Sequence, residues 1–231
     1  MVNKVLFLST SAPYFGKSNE IPTGVWLEEL ASPYQIFKSA GYEITIASPS
    51  GGPIPIDAGS LGEPFFTEEA KKFLHDADAM SMFCHTKKIA DVATPGDYDV
   101  LYMPGGHGCC SDFVNNSDVK SAIENMHSAG KIVAVVCHGP IALAECFKAD
   151  GTTPLVKDLT VTGFSNTEEA AVGQTENVPY LIETRFKEQG AKYEKAEADW
   201  SSHVCVDGNL VTGQNPSSST AAAQKVVELL S

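Results

Sequence analysis

Short, mainly apolar runs alternate along the chain with segments whose apolar residues recur every three or four positions. The runs are Lys4–Thr10, Glu43–Ser48, Val100–Pro104, Ile132–Cys137, Thr160–Gly163 and Asn209–Gly213. Strands that are apolar on both faces suit a parallel sheet covered by helices on either side. Between the runs, Leu27, Leu30, Tyr34 and Phe37 share one helical face, and Val119, Ile123 and Met126 share another. Val226, Val227, Leu229 and Leu230 close the chain with a third apolar set. Strand alternating with helix predicts an α/β fold: a doubly wound, mostly parallel sheet with helices on both faces. His203–Asp207, followed by Gly208-Asn209, predicts one more strand and a turn into the last core strand. Two segments interrupt the alternation. Residues 51–64 are rich in Gly and Pro and predict a loop, and residues 65–91 are polar and helical in character, an excursion on the surface. No internal repeat, linker or shift in composition divides the chain, so residues 1–231 are expected to form a single domain.

Composition narrows the chemistry. The 231 residues carry a formal charge of −13, from 29 acidic against 16 basic side chains, and the sole arginine is Arg185. Clamps for phosphate and carboxylate rely on the bidentate fork of arginine, so nucleic acid and anionic substrates are poor expectations. The longest apolar runs are far too short to span a bilayer, and no membrane partner is expected. The start, Met1 to Leu8, resembles a leader only superficially: its apolar stretch is brief, and a first buried strand is the expectation. Six cysteines occur without a C-x-x-C pair, which fits free thiols in a reducing cytoplasm.

One thiol differs in context from the others. In Ile132-Val133-Ala134-Val135-Val136-Cys137-His138-Gly139-Pro140 a β-branched strand runs into a cysteine, glycine follows within two residues, and proline stands where a helix would begin. This is the strand–turn–helix pattern of a nucleophile elbow, with the side chain above the carboxyl edge of the sheet. A following helix would aim its amides at the thiol and lower its pKa. Free cysteine is otherwise a small core hydrophobe, which is the expectation for Cys146 and Cys205. Cys84-His85 repeats the dipeptide in a polar segment with no strand before it, and is taken as incidental. Spacing alone leaves open whether Cys137 and His138 converge.

A second strand ends in Tyr102-Met103-Pro104-Gly105-Gly106-His107-Gly108. Gly105, Gly106 and His107 are candidates for oxyanion and substrate binding if this strand neighbours that of Cys137, and a plain turn if it does not. No second ligand stands at a metal-binding spacing from His107, so no metal is expected. Carboxylates come from Glu28-Glu29, early in the first amphipathic segment, and from Glu168-Glu169. Acids there are commonly solvated partners of a helix dipole.

Taken together, Val136-Cys137-His138-Gly139-Pro140 and Pro104-Gly105-Gly106-His107-Gly108 resemble the ThiJ/PfpI superfamily. Asp57 in the Gly/Pro loop, the run Thr162–Glu169 and Val211-Thr212-Gly213-Gln214-Asn215-Pro216 resemble its heat-shock-chaperone branch, which includes glutathione-independent glyoxalase III enzymes. The resemblance covers nearly the whole chain. It implies a flavodoxin-like fold of the class I glutamine-amidotransferase kind, a homodimer, no cofactor and a small aldehyde substrate. By the same resemblance Cys137 is the nucleophile, His138 the acid/base, Glu169 the carboxylate that orients the histidine and Glu29 the glutamate in contact with the cysteine. Glu28 and Glu168 are each one position off. Two negative groups in contact and away from solvent are costly, so Glu29 is expected to hold a proton. The chain departs from the family pattern at Cys109-Cys110, which places two further thiols near the expected pocket mouth. Glyoxalase chemistry, with deglycation by the same thiolate, is the leading expectation. A holdase or redox-sensing stress protein and a cysteine peptidase or amidase are the alternatives.

Overall fold

The computed structural model describes residues 2–92 and 96–231; Met1 and residues 93–95 of the expected 1–231 unit lie outside the described residues. Eleven strands and eight α-helices follow in chain order among the described residues. Strand β1 (Lys4–Leu8) precedes a hairpin of two short strands, β2 (Tyr14–Phe15) and β3 (Ile21–Pro22), and then helix α1 (Leu27–Ser39) and β4 (Glu43–Ser48). Helices α2 (Glu68–His75) and α3 (Ala77–Cys84) lead to β5 (Lys87–Lys88) and β6 (Val100–Met103). A short α4 (Cys109–Asp112) and α5 (Ser117–Ser128) come before β7 (Ile132–Val136). Strand β8 (Thr160–Val161), helices α6 (Asn166–Ala171) and α7 (Ile182–Glu188), and β9 (Lys192–Tyr193) follow, and β10 (Val204–Asp207), β11 (Leu210–Gly213) and α8 (Ser219–Leu229) finish the chain.

Seven strands form the central sheet in the order β10-β11-β7-β6-β1-β4-β5, parallel throughout except for the β10–β11 hairpin. This is the expected doubly wound α/β sheet. Alternation along each strand sends side chains to two layers. Leu6, Leu8, Leu101, Met103, Val133 and Val135 pack with Val119, Ile123 and Met126 of α5. Val5, Phe7, Val100, Tyr102, Ala134 and Val136 pack on the other face with Leu27, Leu30, Tyr34 and Phe37 of α1, and with Ala222, Ala223 and Val226 of α8. The last helix therefore buries its small residues: Leu229 is exposed and Val227 only partly covered. No helix among the described residues is long and apolar enough to cross a membrane.

Three expectations need correction. Thr160–Gly163 does not join the central sheet; Thr160-Val161 pairs with Lys192-Tyr193 in a separate two-stranded sheet. Residues 65–91 are not merely a surface excursion, because α2 and α3 bury Ala70, Phe73, Ala79 and Phe83 in the layer under α1, and Lys87-Lys88 adds an edge strand. Cys109 and Cys110 do not line the cavity over Cys137: both are buried, with the Cys109 thiol directed at the Pro104 carbonyl.

Register places the carboxyl ends of β6, β7 and β11 side by side, with Met103 opposite Val135 and Gly213 opposite Val136. Whatever follows those three strands is brought together there, the usual position for ligands in such sheets.

Candidate active site

Cys137 follows β7 directly with a φ of +58°. A non-glycine residue in this left-handed region is sparsely populated and persists only where its surroundings fix it. Here both of its peptide groups are held: Cys137 N donates to Gly213 O at 2.9 Å, and Phe164 N donates to Cys137 O at 2.9 Å. The chain thus turns sharply above the sheet and presents the side chain, as an elbow does. The helix that follows, Gly139–Glu145, is a 3-10 helix with Pro140 in its first turn.

The turn brings Cys137 and His138 together, with Sγ 3.3 Å from Nδ1. On the far side of the ring, His138 Nε2 meets Glu169 Oε2 at 2.8 Å. The other oxygen of Glu169 meets His107 Nε2, also at 2.8 Å. One carboxylate thus bridges two imidazoles whose centroids lie 4.0 Å apart. Burial works to raise the Glu169 carboxyl, but His138 and His107 outweigh it and hold it well below the usual carboxylate range. An ionised carboxylate only accepts hydrogen bonds, so each Nε2 carries its hydrogen, and in the neutral ring His138 Nδ1 presents a lone pair to the thiol. Burial, and then His138 beside it, lowers the pKa of His107.

Glu29 approaches the sulfur from the opposite side. It is fully buried on α1, and its Oε2 accepts the Gly105 N–H at 2.6 Å. Its Oε1 has no nitrogen or oxygen partner, and the Cys137 thiol is the remaining group that interacts with the carboxyl. Burial pushes the Glu29 carboxyl up to about 8, against the bonds from Cys137 and Gly105 that act to lower it. The acid is therefore largely neutral at pH 7. The expected lowering of the Cys137 pKa is not met: burial, followed by the charge of Glu29, pushes the thiol well up, and the Gly106 N–H bonded to it only offsets this in part. A 3-10 helix of seven residues supplies too little dipole to reverse a full desolvation.

The loop Gly105-Gly106 fits against the start of α1 without clearance. Gly106 has a φ of +103°, and a Cβ there would lie 2.2 Å from Gly24 O. Trp26 N donates to Gly105 O at 3.2 Å, which fixes the entry to α1 and so the position of Glu29. Of the expected oxyanion and substrate groups, Gly106 is in place beside the sulfur. The Gly105 N–H is bonded to Glu29, and His107 Nε2 is bonded to Glu169 while its ring lines the cavity over Cys137.

The neighbouring acids have other work. Glu168, fully buried, closes a capping box with Ser165 and also accepts Trp200 N at 2.9 Å and Asn215 Nδ2 at 2.8 Å. The sequence carried a signal for this, because Ser165-x-x-Glu168 is the capping-box spacing and assigns that acid to the backbone. Glu28 accepts hydroxyl bonds from Ser32 and Thr67. Asp57 accepts Thr23 Oγ1 at 2.9 Å and caps the turn after it.

Above the sulfur lies a cavity of about 170 Å³, floored by Gly106, His107, Cys137 and His138 and walled by Trp26, Phe65, Phe164, Val172, Trp200 and Pro216. Sequence periodicity gave no hint of these walls, since Phe65 and Trp200 stand in irregular segments. Trp200 itself has a φ of +66° and packs edge-on against Phe164. The site can thus deprotonate a thiol in an apolar, enclosed space and offer amides to a developing oxyanion. His107, His138 and Glu169 lie within 4.8 Å of one another, a donor set able to hold a cation, although 31 and 62 residues separate Glu169 from the two histidines in sequence. A larger cavity of about 730 Å³ is lined by Tyr14, Lys17, Cys110, Asp112 and Asn177 among others. Burial pushes the thiols of Cys109, Cys110, Cys146 and Cys205 up.

Comparison with known proteins shows the same fold. The crystal structure of the Rapid Encystment Protein 24 KDa of Francisella tularensis superposes with a TM-score of 0.92 at 36% identity, covering 100% of both chains. That of glyoxalase III from Candida albicans superposes with a TM-score of 0.88 at 30% identity, covering 98% of this chain and 96% of the other. In sequence, Glyoxalase 3 of Candida albicans is 30% identical over 229 residues, 97% of each chain. Residues 21–229, from the approach to α1 through the last helix, match the family model as well, and the chain belongs to the DJ-1/PfpI family.

Proposed function

We propose that this chain is a glutathione-independent glyoxalase, converting methylglyoxal or glyoxal and water to lactate or glycolate. The observation that carries this reading is the chain of contacts from Cys137 Sγ through His138 to Glu169 at the floor of an apolar cavity of about 170 Å³. That space suits a two- or three-carbon aldehyde without charge, and relatives matched over nearly their full length are named glyoxalases. Nδ1 of His138 takes the thiol proton as sulfur adds to the aldehyde carbon, so the high thiol pKa is met by a base in contact rather than by a standing thiolate. The oxyanion is received by the Gly106 and His138 amides and then protonated, giving a hemithioacetal. His138 removes the hydrogen from the former aldehyde carbon and returns a proton to the adjacent one, through an enediol. The resulting 2-hydroxyacyl thioester is cleaved by water, which restores the thiol. Glu169 holds the ring in the required tautomer throughout.

The test is lactate formation from methylglyoxal in the absence of glutathione. The native protein should turn over and Cys137→Ala should not; equal activity in both, or none in the native protein, removes the reading. The same proposal treats residues 1–231 as one functional unit, since the central sheet draws strands from Lys4 to Gly213. It takes the chain to be a homodimer in the cytoplasm, where its unpaired cysteines suit a reducing milieu. Sedimentation velocity decides the first point and cell fractionation the second.

A further inference from the structure

At the opposite edge of the molecule from β5, three side chains of different chemistry converge. His203 precedes edge strand β10 and Cys205 lies within it, so the i, i+2 spacing puts both on one face. His203 Nε2 is 3.5 Å from Cys205 Sγ. Glu194, just past β9, brings a carboxylate oxygen to the same point, and the three ligand atoms lie within 4.8 Å of one another. We propose that Glu194, His203 and Cys205 form a zinc site, with water as the fourth ligand.

Zinc takes thiolate, imidazole and carboxylate together at bond lengths of about 2.0–2.3 Å, and a tetrahedron with such arms has edges of about 3.5 Å. The His203–Cys205 separation already equals that edge. The backbone of each ligand is anchored: His203 N donates to Ser218 Oγ at 3.1 Å, Gln214 N donates to His203 O at 3.0 Å, and Glu194 N donates to Val161 O at 2.9 Å. Cys205 is held in the ladder opposite Thr212. Two ligands are therefore preset, while Glu194 is an exposed, long side chain able to close the remaining distance. Exposure of that side also gives an ion a path of entry. The thiol loses its proton to buffer as the sulfur–zinc bond forms, and the two anionic ligands neutralise the ion. Bound there, zinc cross-links the edge of the central sheet to the β8–β9 sheet, which leads directly into the Glu169 helix.

Full-length protein stripped with a chelator is titrated with cobalt(II), then with zinc. One equivalent of cobalt should give a thiolate charge-transfer band with tetrahedral d–d absorption, and zinc should displace it. Cys137→Ala should keep the band and Cys205→Ser should lose it. His203→Gln and Glu194→Gln, at positions where packing is light, should each weaken cobalt binding about tenfold or more. Absence of the band in the native protein overturns the proposal. So does a band lost in Cys137→Ala but kept in Cys205→Ser, or unchanged affinity in both His203→Gln and Glu194→Gln.

Discussion

Glu29 and Cys137 are two acids sharing one small dry space, and only one of them can ionise cheaply. Below about pH 8 Glu29 is neutral and its O–H stands beside the sulfur, so the thiol proton is free to pass to His138. Above that value the carboxylate opposes the thiolate across the same gap. The kcat/KM for methylglyoxal should accordingly fall as pH rises through about 8, and Glu29→Gln, which keeps an acceptor for Gly105 N–H, should remove the alkaline fall while leaving neutral activity within a few-fold. Glu169→Gln should cost on the order of 10²–10⁴-fold in kcat at every pH, because an amide does not fix the ring tautomer. Rate profiles from pH 6 to 9.5 for the three proteins decide it. A Glu29→Gln profile superimposable on the native one would end the shared-proton account, and a Glu169→Gln rate near native would shift the orienting role to another carboxylate.

At the scale of elements, the site depends on the fit of the Gly105-Gly106 loop against the entry to α1. Gly106→Ala adds a methyl against Gly24 O in a backbone conformation that disfavours it. A cost of about 2–4 kcal/mol is expected, with activity lost as Glu29 and the amide shift. Gly130 has a comparable φ of +71° but nothing within 4 Å of a Cβ. Gly130→Ala should therefore cost only about 1 kcal/mol and keep full activity. Melting curves and lactate rates measured together separate conformational strain from the clash, and equal losses in the two variants would remove the role assigned to the loop. This fit was invisible in sequence, as were the two-residue strands β5 and β9 and the pairing partner of Thr160, because each is settled by contacts between distant segments. The elbow at Cys137 and the core faces of α1 and α5 were legible, since they rest on local periodicity and on the order of strand, cysteine, glycine and proline. Glu168 was half legible: the capping spacing from Ser165 marked it as structural, but nothing marked Trp200 as the residue it holds.

For the whole molecule, the two buried glutamates tilt stability in opposite directions with pH. The Glu29 carboxyl is raised in the fold, so its contribution is fully present below the unfolded value near 4.5 and is lost as pH rises through about 8. Glu169 is lowered, and its contribution is present above the unfolded value and lost as pH falls through the folded one. Urea midpoints should decline on both sides of a maximum, Glu29→Gln flattening only the alkaline limb and Glu169→Gln only the acid limb; a Glu29→Gln curve parallel to the native one would show that burial does not hold the proton. The bond from Cys137 N to Gly213 O has a consequence in time as well as in space. Cys137 is made first and its anchor later: more than seventy residues separate them, and the strand that steadies the turn emerges from the ribosome after both the thiol and its histidine–glutamate partners. A growing chain thus carries Cys137 as an ordinary thiol, and turnover at the site should begin only once β11 takes its place and fixes the turn.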